Sequence, residues 1–179
     1  RDGGAVREFR GHAGAILAAA FNSDGRHLAS TGADGKIILW DVATGARVAD
    51  WEGRGRGATA LAFHPRTGRL ISAGRDATVR VWDTAGGREE FNFPTDQDGV
   101  HALAVSADGK LLATAGGDGT VVVWDLAARE ARFTLFGHKG TVDCVAFDPK
   151  DALLATAGQD ATVRVWRMAD GQEAHVLKH

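Results

Sequence analysis

The sequence predicts an all-β chain of four consecutive units, each built from four short antiparallel strands. Three observations carry this reading. Trp40, Trp82, Trp124 and Trp166 stand 42 residues apart. Asp34, Asp76, Asp118 and Asp160 keep that step, as do Ser30, Ser72, Thr114 and Thr156, and Gly32, Gly74, Gly116 and Gly158. Between turns the segments are short and rich in β-branched and aromatic residues, and no window of about 11 residues carries a helical period. Several residue types sharing one long period mark a repeat architecture. Trp51 stands outside the tryptophan series.

The first unit, residues 11–52, shows the pattern. Ile16 to Phe21 is a short apolar strand, and Asn22-Ser23-Asp24-Gly25 is its turn, with glycine where a positive φ is needed. Leu28 to Ser30 forms the second strand, Gly32-Ala33-Asp34-Gly35 the next turn, and Ile37 to Trp40 the third strand. Thr44-Gly45 then turns the chain into Val48 to Trp51. Residues 53–94, 95–136 and 137–179 repeat this order. Ala5 to Arg10 reads as the outer strand of a preceding unit, because Gly3 is in register with Gly45, Gly87 and Gly171.

Composition narrows the functional classes. The 179 residues carry a formal net charge of −2, which argues against a general polyanion binder. Hydrophobic residues at 44% and charged residues at 25% are those of a folded domain. No apolar run is long enough for a membrane helix, and Arg1-Asp2-Gly3-Gly4 is no signal peptide, so a cytoplasmic location is expected. With 32 alanines and few lysines the coding bias points to a bacterial source. The single cysteine, Cys144, excludes an intrachain disulfide and any multi-cysteine zinc site; between Val142 and Val145 it is expected to be a buried, inert thiol.

The motifs Gly11-His12, Ser30, Asp34 and Trp40-Asp41, with Gly137-His138, Thr156, Asp160 and Trp166 in the fourth unit, resemble the WD40 repeat of β-propeller proteins. Two departures stand out. Arg54 and Asp96 occupy the histidine register in units two and three, and Arg167 replaces the aspartate after the fourth tryptophan. The resemblance implies four propeller blades within a ring of seven or eight, completed by the rest of a longer chain or by a second copy. It also implies a buried network joining His12, Ser30, Asp34 and Trp40 in blade one. Blade four would join His138, Thr156, Asp160 and Trp166. Ser72, Asp76 and Trp82, and Thr114, Asp118 and Trp124, would form partial sets without a histidine.

A Ser-His-Asp set also suggests a hydrolase. Here the set recurs at a fixed period, ends on a tryptophan donor and loses its histidine twice, whereas a catalytic triad is unique and complete. No catalysis is therefore expected. Gly53-Arg54-Gly55-Arg56-Gly57 lacks the Lys-Ser/Thr of a phosphate loop, and Asp96-Gln97-Asp98-Gly99 lacks the third acid and distant Glu of a calcium loop. No cofactor or metal is expected.

Comparing the four copies separates scaffold from variable positions. Leu17, Thr59, His101 and Asp143 share one position at the start of the inner strand, and Ala33, Arg75, Gly117 and Gln159 share another before the turn aspartate. The family places both on the propeller's top face. Leu17, Thr59, Arg75, His101, Asp143 and Gln159 are thus candidate contacts for a protein partner. Seven arginines (Arg54, Arg56, Arg66, Arg69, Arg75, Arg80 and Arg88) fall in unit two, giving an anion or nucleic-acid surface as the rival to a protein scaffold. A third reading is the sensor region of a larger signalling enzyme.

Overall fold

Alternating short strands and tight turns leave each unit one choice, a meander in which every strand pairs with the next in sequence. A computed structural model describes residues 8–53 and 57–178, and within them are sixteen strands and no helix. The first sheet holds β1 (Ile16–Phe21), β2 (His27–Gly32), β3 (Lys36–Asp41) and β4 (Arg47–Glu52), in that spatial order. The second holds β5 (Ala58–Phe63), β6 (Leu70–Gly74), β7 (Thr78–Asp83) and β8 (Arg88–Pro94). The third holds β9 (Val100–Val105), β10 (Leu111–Gly116), β11 (Val121–Asp125) and β12 (Glu130–Leu135). The fourth holds β13 (Val142–Phe147), β14 (Leu153–Gly158), β15 (Thr162–Arg167) and β16 (Glu173–Lys178). All pairs are antiparallel.

The sheets stack face to face through their inner strands: β1 meets β5, β5 meets β9 and β9 meets β13. Each interface is a closed apolar cluster. Ala29, Ile37, Leu39 and Trp51 of the first sheet pack on Leu61, Leu70 and Trp82 of the second. Ile71, Val79, Val81 and Phe93 pack on Val100, Leu112 and Trp124. Ala113, Val121, Val123 and Leu135 pack on Val145, Leu154 and Trp166.

A second series of period 42 emerges from these contacts, and it corrects the place given to Trp51. Phe9, Trp51, Phe93, Leu135 and Leu177 share one register. Each of the first four lies against the tryptophan that follows it. The ring centroids of Phe9 and Trp40 are 5.7 Å apart, those of Trp51 and Trp82 5.7 Å, and those of Phe93 and Trp124 5.1 Å. Leu135 shares its cluster with Trp166. Leu177 has no following tryptophan and is 58% exposed. Of the strand expected over Ala5 to Arg10, residues 5–7 lie outside the described residues. Glu8 to Arg10 form no strand, although Phe9 still covers Trp40.

The uncovered face of the fourth sheet also overturns the expectation for Cys144. The thiol is exposed. Its counterpart Ala60 in the second sheet is buried because a following sheet covers it, and nothing among the described residues covers Cys144. Leu153 and Val163 are exposed for the same reason.

The register makes a direct test. Leu135→Ala should cost about 2–5 kcal/mol, the usual loss for emptying a packed leucine site. Leu177→Ala should stay within about 0.5 kcal/mol in the same 179-residue chain, as surface substitutions do. Urea unfolding of both variants measures the contrast.

Candidate functional site: the buried relay and the bulged inner strands

Stacking buries the indole of each series tryptophan, and its N–H must then find an acceptor inside the protein. In the first blade Trp40 Nε1 donates to Ser30 Oγ at 2.8 Å. Ser30 Oγ lies 2.9 Å from His12 Nε2, and His12 Nδ1 lies 3.0 Å from Asp34 Oδ1. Because the carboxylate only accepts, Nδ1 carries the proton and Nε2 accepts from the serine. The fourth blade repeats the relay: Trp166 Nε1 donates to Thr156 Oγ1 at 3.0 Å, Thr156 meets His138 Nε2 at 2.8 Å, and His138 Nδ1 meets Asp160 at 3.0 Å.

The third blade departs from the expectation of a missing partner. Asp96, in the histidine register, is exposed with φ +56°, and the relay residue is its neighbour Gln97, 7% exposed. Gln97 Oε1 accepts from Thr114 Oγ1 at 2.7 Å, and Thr114 accepts from Trp124 Nε1 at 2.9 Å. Gln97 Nε2 donates to Thr120 Oγ1 at 3.1 Å, and that hydroxyl donates to Asp118 at 2.7 Å. A glutamine presents one acceptor and one donor end, as a neutral histidine does. In the second blade Trp82 Nε1 donates to Ser72 Oγ at 2.8 Å, while Asp76 accepts from the Arg80 guanidinium at 2.7 Å. Arg54, along with Arg56, lies outside the described residues.

These bonds set the charge of the turn aspartates. Burial opposes ionisation of Asp34, but the Ala13 N–H, the His12 ring and the Lys36 N–H outweigh it and bring its pKa from 3.8 to about 2. Asp160 is also held well below the usual range: burial opposes this, and the His138 ring, the Thr162 hydroxyl and the Lys139 N–H prevail. Ser30 Oγ sits buried between Trp40 and His12, at the middle of the relay.

At the other variable positions the backbone itself changes. Pairing of β1 with β2 runs Ile16 to Gly32 and then Ala18 to Thr31, so Leu17 is the extra residue of a β-bulge. Thr59, His101 and Asp143 are the extra residues of the same bulge in β5, β9 and β13. A bulge re-aims the side chain it carries and is frequent beside functional sites. Leu17, His101 and Asp143 are exposed. Thr59 is half-buried, and its hydroxyl donates to Val100 O at 2.5 Å, bridging two blades. Arg75 and Gln159 are exposed on the β6–β7 and β14–β15 turns, at the same end of the sheets as the bulges.

The described arginines of the second blade do not share a face. Arg66 lies in the β5–β6 turn, Arg69 beside it pairs with Glu90 at 2.6 Å, and Arg88 starts β8. Arg75 is at the opposite end, and Arg80 points inward to Asp76.

Four stacked four-stranded meanders, with a hydroxyl-to-tryptophan bond in each, define a chain of propeller blades. The chain belongs to the WD40 family, described as WD domain, G-beta repeat, which matches residues 3–41, 45–83, 87–125 and 129–167. No curated protein matches the chain. WD40 repeats generally mediate protein–protein interaction, and their propellers are generally non-catalytic. Among the described residues no helix could cross a membrane.

Gln97→Ala should cost about 1–3 kcal/mol by stranding the buried Thr114 hydroxyl and leaving half-buried Thr120 without its donor, whereas Asp96→Gly should be neutral or stabilising by about 0.5–1 kcal/mol. Chemical denaturation of the two variants distinguishes the relay residue from its neighbour.

Because the folded pKa of Asp34 is depressed, its contribution is present above the ordinary value of 3.8 and is lost as pH falls towards about 2. Thermal unfolding followed across that range should show a steep loss, flattened in the Asp34→Asn, Asp160→Asn double variant.

Proposed function

We propose that the chain is a non-catalytic protein-interaction scaffold whose partner docks on the end of the blades that carries the bulged strands. One observation supports this above the others. The same bulge recurs in all four inner strands, yet it carries Leu17, Thr59, His101 and Asp143, four different chemistries on one backbone device. Arg75 and Gln159 extend the surface, which then offers apolar, cationic, anionic and amide groups within one patch. Thr59 is the exception, since its hydroxyl is already engaged with Val100. The dispersal of Arg66, Arg69, Arg75, Arg80 and Arg88 over both ends and the interior favours a protein partner over a nucleic acid. The uncovered apolar face of the fourth blade supports the reading that further blades complete a larger ring.

A photo-crosslinking amino acid at His101 should capture a protein partner from the source cell, and one at Arg26 in the opposite turns should not. Arg75→Ala with Asp143→Ala should then weaken the captured complex at least tenfold with the melting temperature unchanged. Equal capture from both ends would overturn the assignment of the face.

A further inference from the structure

The opposite end of the blades carries a second feature, independent of the bulged strands. Between β8 and the β9–β10 and β11–β12 turns lies a groove of about 730 Å³. Its floor is apolar, formed by Ile71, Phe91 and Leu126. Four cations line it, and three have carboxylate neighbours: Arg69 with Glu90 at 2.6 Å, Lys110 with Asp108 at 3.2 Å, and Arg88 with Asp83 at 4.0 Å. Arg129 has no carboxylate within ion-pairing distance among the described residues; its guanidinium lies over the Phe91 ring, 3.9 Å from the centroid. Glu89 turns inward, towards Arg80 at 3.8 Å.

Arg129 is placed there against backbone preference. The turn after the third strand closes in all four blades by the same bond to the carbonyl four residues earlier. Three blades use glycine, with φ +75° at Gly45, +66° at Gly87 and +70° at Gly171. Arg129 takes the same conformation at φ +60°. A long side chain in the left-handed region is strained, and such strain gathers at functional sites. Between the third and fourth blades glycine fits tightly: a Cβ on Gly171 would lie 2.7 Å from the ring of Phe133, the counterpart of Phe91. At the second interface the chain instead carries an arginine, which brings an unpaired positive charge to an apolar floor.

We propose that this groove binds a peptide segment that presents an acidic side chain beside an apolar one. The carboxylate meets Arg129, with Lys110 and Arg88 at the rim, and the apolar side chain lies on Phe91 and Leu126. Because β8 is the edge strand of its sheet, an extended segment can also pair with its outer main-chain groups. A bare anion would use the charge and leave the floor uncovered.

The test is an array of immobilised hexapeptides in three sets, alternating Asp/Glu, Lys/Arg or Asn/Gln with Leu/Phe, probed with the full chain and its Arg129→Gly variant. The acidic–apolar set should be retained preferentially, with at least a tenfold loss for Arg129→Gly. Glycine suits this turn, so that variant should fold, and its circular dichroism and melting curve check this. Arg129→Lys should retain part of the binding, and Arg75→Ala with Asp143→Ala should retain all of it, which separates this site from the bulged face. No preference for the acidic set, equal retention by Arg129→Gly, or full displacement by a single-stranded oligonucleotide of matched charge would overturn the proposal.

Discussion

Each tryptophan of the 42-residue series is constrained twice. Its ring must be covered, because it stands on the sheet face that meets the neighbouring blade, and its one N–H must be bonded, because covering removes water. The outer strand of the preceding blade meets the first demand through Trp51, Phe93 or Leu135, and in the first blade Phe9, which lies in no strand, does the same. The hydroxyl ten residues earlier meets the second, in every blade, at 2.8 to 3.0 Å. The hydroxyl then needs an acceptor, and the histidine or glutamine behind it needs another, so the polar chain runs outward until it reaches an aspartate. Stacking and relay are therefore one constraint seen from two sides.

Trp51 shows what happens when the two demands separate. It stands in the covering position, which asks only for an apolar surface and which Phe9 and Phe93 fill without polar atoms. Its Nε1 is buried with no hydrogen-bond partner among the described residues. An orphaned donor of this kind costs about 1–3 kcal/mol. The indole offsets part of that cost through its own apolar area, larger than a phenyl ring's, removed from water: Trp51 is buried.

The repeat period was enough to read the strands, because alternating short apolar runs with Gly and Asp turns admit little besides a meander. It was not enough to read the third relay. Counting in steps of 42 lands on Asp96, but the backbone slips by one residue there, with Asp96 at positive φ, and Gln97 turns inward. The visible clue was Gln97 itself, a residue with both a donor and an acceptor beside the expected position. Cys144 misled for a different reason. Strand composition records which face is apolar, whereas burial depends on a neighbouring blade, and the fourth face has none among the described residues. The bulges carry no local sequence signal at all, since Leu17, Thr59, His101 and Asp143 share no chemistry; only pairing on both sides reveals the extra residue.

The same logic separates the two ends of the blades. At the bulged end, variation is placed on an extra residue that the ladder does not need, so the side chain can change without disturbing the relay beneath. At the opposite end the turn after each third strand is short and bonded back on itself, and glycine fits it in three blades of four. Variation there is costly, so an arginine at one turn of four is more informative than four different residues at the bulges. The blades vary freely at the bulge residue and keep glycine in three of the four turns after the third strand, which makes the exception at Arg129 as legible as the pattern it breaks.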